Sequence, residues 1–115
     1  MFYSTEEIDW FATNKQDWID AWHSSHQGLP SVPDEKYFIY GDEQDCIYLR
    51  TEYMQTALAI SSDCDGYIYL LNPQVVNENG EWEAWDFGHK LPGANRYRSF
   101  LEMMQFVFTH PEFII

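Results

Sequence analysis

The sequence of 115 residues predicts an α+β domain: an antiparallel β-sheet meander flanked by N-terminal helices and a C-terminal helix. Three observations carry that expectation. Apolar residues recur at helical spacing near both ends, the middle of the chain falls into short aromatic and β-branched runs, and polar Gly- or Pro-containing turns separate those runs. The core material is mostly aromatic: 5 Trp, 8 Tyr and 8 Phe make up 18% of the chain. Each such ring buries about 150–250 Å², enough to stabilise one small domain spanning residues 1–115 without a disulfide framework.

The elements follow in order. Ser4-x-x-Glu7 forms a capping box, with Ile8, Trp10, Phe11 and Ala12 expected as a short helix behind it. Asn14 can cap a second helix, in which Trp18, Ala21 and Trp22 share a face until Gly28, Pro30 and Pro33 end it. Runs 37–40 and 46–50 flank the polar loop Gly41-Asp42-Glu43-Gln44-Asp45 as a predicted hairpin, and runs 57–61 and 67–71 flank Asp63-Cys64-Asp65-Gly66 as another. Asn79-Gly80 then turns the chain into a last strand from Glu81 to Phe87. Pro92-Gly93 interrupts it, and Ser99-x-x-Glu102 opens a helix with Phe100, Met103, Met104 and Val107 on its apolar side, closed by Pro111.

Charge narrows the classes of partner. The net charge is −13, and residues 1–65 carry 13 acidic side chains against only Lys15, Lys36 and Arg50. Such a chain lacks the basic face that phosphate contacts need, so direct nucleic-acid binding and attachment to an anionic membrane are disfavoured. A basic protein would be steered towards it, although the same charge also serves plain solubility. No basic leader, signal-peptide core or membrane-length apolar run is visible, so a cytoplasmic location is expected. Cys46 and Cys64 read as free thiols there, with a disulfide between them as the open alternative.

Catalytic and metal-binding readings are weak. Asp63-Cys64-Asp65-Gly66 places carboxylates as a calcium loop does, but it lacks the bidentate Glu and lies between strands, so it reads as a turn. His23-x-x-His26 has no further ligand to complete a zinc set. Glu81 and Glu83, two apart on a strand, would stand roughly 7 Å apart on one face, a spacing within the range of glycosidase carboxylates. Beside Trp82 and Trp85 they suggest a sugar site, yet a solvated sheet face is the simpler reading. No nucleophile motif or phosphate loop occurs, so no catalytic residue, cofactor or metal is expected.

The segments 10–14, 32–38, Tyr40-Gly41, Leu70-Leu71-Asn72-Pro73, Gly80-Glu81-Trp82-Glu83-Ala84-Trp85, Leu91-Pro92-Gly93-Ala94, Arg96-Tyr97-Arg98-Ser99-Phe100 and Glu102-Met103-Met104 together resemble the SUKH superfamily. This group includes a yeast cell-wall assembly regulator and many bacterial immunity proteins. The resemblance runs from about Ser4 to Gln105, in the family's order, without the helices that usually precede these segments in the family. It implies a non-catalytic protein that binds and neutralises a cognate toxin, often a nuclease. A regulatory protein-interaction scaffold unrelated to toxins is the alternative. The expected contacts are Asp42, Glu43, Asp45, Asp63 and Asp65, then Glu81 and Glu83, with Trp82, Trp85, Tyr97 and Phe100 in the core. Arg96 or Arg98 is expected to pair a strand carboxylate or cap carbonyls. The shortened N-terminus would leave a sheet face uncovered, so a homodimer is expected as well.

Overall fold

The computed structural model describes residues 8–61, 67–88 and 93–109. Its centre is a five-stranded antiparallel sheet of β1 (Asp9–Trp10), β2 (Leu58–Ala59), β3 (Tyr67–Val76), β4 (Trp82–Gly88) and β5 (Ala94–Tyr97), in spatial order β1-β2-β3-β4-β5. The helices are α1 (Phe11–Ser25), the single turn α2 (Asp34–Tyr37) and α3 (Phe100–Thr109), with 3-10 turns at Gly41–Glu43 and Thr51–Thr56. The expected α+β meander with flanking helices is therefore the observed architecture.

Alternation along the strands gives the sheet two distinct faces. On one, Ile68, Leu70, Trp85 and Phe87 pack beneath α1 and the Thr51–Thr56 turn, against Phe11, Ile19, Met54 and the partly buried Trp18 and Trp22. Phe87 is the hub, with ring centroids 5.8 Å from Phe11 and 5.5 Å from Trp22. On the other face, Tyr69, Ala84 and Tyr97 pack beneath α3 through Met103, Met104, Phe106 and Val107. Both faces thus carry a helix among the described residues, and the open face from which a homodimer was expected is not seen there.

Several local expectations are corrected. Residues 9–10 form a strand rather than a helix, because the ladder to β2 and the Phe11 N–H to the Ala57 carbonyl (2.8 Å) satisfy this backbone in tertiary structure. The capping box at Ser4 lies outside the described residues. A break close to the expected helix start at Asn14 is present: Lys15, with non-helical φ −130° and ψ 29°, kinks α1 into two helical pieces. Ala21 is exposed, and Ile19 takes its place in the core.

The first predicted hairpin does not exist. Tyr37 and Tyr40, one helical turn apart, both turn inwards, while Phe38 and Ile39 between them are exposed. Arg50 locks that conformation by stacking 4.6 Å from the Tyr37 ring centroid, pairing with Asp34 at 2.6 Å and donating from Nε to the Val32 carbonyl. Residues 94–97, between the Pro92-Gly93 break and the Ser99 cap, form β5, a strand not expected there. Its outer edge is covered by the preceding loop: Gln44 donates to the Arg96 carbonyl at 2.8 Å and accepts from the Arg96 N–H at 2.6 Å, while the Cys46 carbonyl accepts from Ala94. One amide side chain thus stands in for a missing strand.

The tyrosines turn inwards to meet Glu83. Expected on a partner-binding surface, Glu83 is fully buried. It accepts from Tyr37 (2.5 Å), Tyr40 (2.6 Å), Asn72 (3.1 Å) and the Trp85 indole (2.7 Å). These four donors replace the water that a carboxylate loses on burial. Burial, and then Glu83 itself, hold the Tyr37 and Tyr40 hydroxyls well above their ordinary range, so both stay protonated as donors. Arg96 lies on the same face, fully buried, donating to the Tyr37 carbonyl with its guanidinium 4.3 Å from the Tyr37 ring centroid. Its expected structural role is the observed one.

Glu83→Gln turns an amide donor towards this ring of donors, and should lower unfolding free energy by about 2–4 kcal/mol in urea titration. Glu81→Gln, at an exposed turn, should change it by less than about 0.5 kcal/mol. Equal effects would show that Glu83 is not the buried tie described.

Candidate partner-binding site

The second face of the sheet is where acidic side chains converge. Asp86 on β4 stands between its register partners Tyr69 on β3 and Asn95 on β5. Tyr97 follows on β5, and α3 crosses above with Glu102 and Phe106. The Tyr97 and Phe106 ring centroids are 5.6 Å apart. The Gly41–Glu43 turn supplies the third side. Gly41 enters it at φ 79°, and the Gln44 clamp on β5 fixes where it lies. The result is a cavity of about 290 Å³ lined by Gly41, Asp42, Gln44, Asp86, Asn95, Tyr97, Glu102 and Phe106.

Three carboxylates from three elements face this space. Asp86 is the most enclosed, and burial pushes its carboxyl up to about 6 against the opposing bond from Asn95. Burial, with Asp86, Tyr69 and Glu102 nearby, likewise raises the Tyr97 hydroxyl. Glu102 starts α3 as expected, its N–H bonded to Ser99 Oγ at 3.1 Å, but its carboxylate turns to Arg98 at 3.2 Å instead of closing the capping box. Arg98 is itself exposed, 5.0 Å from the Tyr40 ring centroid.

The expected contact residues fare differently. Asp42 lines the cavity and Glu43 is exposed beside it. Asp45 is exposed, but its Oδ1 accepts from the Ile47 N–H at 3.1 Å, so it also builds the turn. Asp63 and Asp65 lie outside the described residues, as does Cys64. Glu81 is on the surface, held by Asn77 at 3.2 Å in the β3–β4 turn. Glu83 is in the opposite layer, so the two glutamates do not share a cleft as a sugar site would require. Trp85 and Tyr97 are core, whereas Trp82 and Phe100, also expected there, are 39% and 43% exposed. Asp86 and Glu102 were not anticipated as site residues. Asp86 shares strand parity with Ala84, and that periodicity was the available signal.

The remaining polar motifs are occupied structurally. His23 Nε2 lies 2.8 Å from the Thr51 carbonyl, and His26 stacks on Trp22 at 5.4 Å. Cys46 is a free, half-buried thiol, raised by burial and by Asp45. Among the described residues no group of three metal-ligating side chains occurs, and no helix is long and apolar enough to cross a membrane. Comparison with protein-family models, with curated proteins and with solved structures gives no match in any of the three.

Asp86 has a pH signature. Its folded value of about 6 exceeds the ordinary carboxyl value of 3.8, so the folded state binds the proton more tightly between them. Its contribution is full below that window and is lost as pH rises through about 6. Asp86→Asn, which can keep a bond to Asn95, should be near neutral at about pH 4 and stabilising by on the order of 1–3 kcal/mol at about pH 7.5. An offset constant across that range in urea titrations would contradict the enclosed carboxyl.

Proposed function

We propose that this chain is a non-catalytic immunity-type protein that binds and neutralises a basic, nuclease-like toxin. The observation that carries the reading is the presentation of Asp42, Glu43 and Asp45 on an exposed turn beside the cavity holding Asp86 and Glu102. A net charge of −13 surrounds that surface. A nuclease cleft is basic because it holds phosphates, and an acidic protein surface can occupy it in their place. The family resemblance of the sequence supports the same reading. Two chains of this charge repel each other, which weighs against a homodimer through the same acidic surface.

The test is co-expression with the product of the neighbouring gene as the candidate toxin, together with purification of the pair. Rescue of growth and a stoichiometric complex are expected. No rescue, and no complex at low salt, would overturn the reading. Binding to an endogenous host protein, insensitive to salt, would favour the scaffold alternative instead.

Electrostatic steering supplies a sharper measurement. Asp42→Asn, Glu43→Gln and Asp45→Asn together keep an acceptor at position 45 for the turn. They should slow association by about 10–100-fold at low salt and far less at about 0.5 M salt. A rate unaffected at low salt would place the contact elsewhere.

A further inference from the structure

The cavity among Asp42, Asp86 and Glu102 has a chemistry more specific than surface acidity. Its carboxylates come from three separate elements, and Tyr97 with Phe106 adds aromatic surface. The amides at its edge are already committed. Asn95 bonds Asp86, and Gln44 uses both its oxygen and its nitrogen on the Arg96 backbone. No lysine, arginine or histidine is among the described lining residues. The described lining therefore offers acceptors and aromatic carbon.

We infer that this cavity is a socket for one arginine side chain projecting from the basic protein partner. The inference rests on the binding reading above and names what that surface recognises. A volume of about 290 Å³ is at the small end for a free organic ligand but suits one side chain seated from outside. A guanidinium fits better than an ammonium. It is planar and weakly hydrated, it stacks on aromatic faces, and its five N–H groups can reach carboxylates on different sides at once. Arg98 sets the competition at the rim: its exposed guanidinium already pairs with Glu102 at 3.2 Å, so an entering arginine shares or displaces that pair. Asp86, facing Tyr69, Asn95, Tyr97 and Glu102, has no cationic partner of its own among the described residues and is the seat of the incoming charge. Charge complementarity selects this occupant over a second copy of the chain, which carries the same −13.

The experiment uses N-acetyl-arginine amide as a probe on the intact chain, followed by NMR at about pH 7.5. The lysine analogue and the neutral citrulline analogue serve as comparisons. Saturable shifts are expected at the Asn95 side-chain amide and at the Tyr97 and Phe106 rings, with arginine at least about threefold tighter than lysine and citrulline silent. Asp86→Asn and, separately, Glu102→Gln should each weaken arginine binding by about fivefold or more, with the folded spectrum retained in at least one of them. Citrulline binding as well as arginine, lysine binding as well as arginine, or shifts scattered over all surface carboxylates would each overturn the socket. The two readings fail separately. A toxin complex whose formation leaves the Asn95, Tyr97 and Phe106 signals unmoved overturns the socket and leaves the immunity reading standing. Probe binding in a chain that captures no toxin does the reverse.

Discussion

The structure depends on one buried carboxylate. Glu83 sits on a central strand in the middle of the molecule, where an ionised group survives only if donors replace the water it loses. The donors come from far apart in sequence: Tyr37 and Tyr40 from the α2 segment, Asn72 from β3 and Trp85 from its own strand. Satisfying Glu83 therefore forces the 34–40 segment down onto the sheet. Once Tyr37 is there, its ring and carbonyl receive Arg96, and Arg50 stacks on the ring from another side at 4.6 Å. The rest of the irregular stretch between α1 and β2 is held by Leu49 and Met54 in the core and by the Gln44 clamp on β5.

The acidic surface is a consequence of that tie. Residues 41–46 follow directly from the anchored tyrosines, and Gln44 then clips them to the edge of β5. Asp42 is thereby carried round to the opposite face of the sheet from Glu83, where Asp86 and Glu102 already stand. Carboxylates thus play two roles in this small domain. One is held by four hydrogen-bond donors and organises the fold. The others keep unused acceptor capacity and shape an acidic surface.

The sequence made the regular parts legible and concealed the irregular ones. The Ser99 cap, the β3–β4 hairpin and the end of α1 before Gly28 follow local rules, and local rules suffice where backbone partners are close in sequence. The stretch 37–50 misleads because its aromatic run has strand composition while its partners lie on β4 and β5. β5 itself is only four residues long, and its edge is completed by Gln44, a contact 52 residues away in sequence. The candidate site was half legible: the acidity of Asp42, Glu43 and Asp45 is plain, whereas the convergence of Asp86 and Glu102 on Asp42 requires the sheet register and the seating of α3. Glu83 was misread because a strand glutamate ordinarily faces water, and only the distant tyrosines reveal otherwise.

The claim that Glu83 organises the acidic surface is tested most directly by amide hydrogen exchange, comparing the parent chain with Glu83→Gln under conditions where both remain folded. The account predicts that protection falls across residues 35–47 and at the Arg96 amide clamped by Gln44, while the paired centre of β3 and β4 keeps its protection. Uniform loss across the sheet, or full protection of the 35–47 segment in the variant, would contradict it.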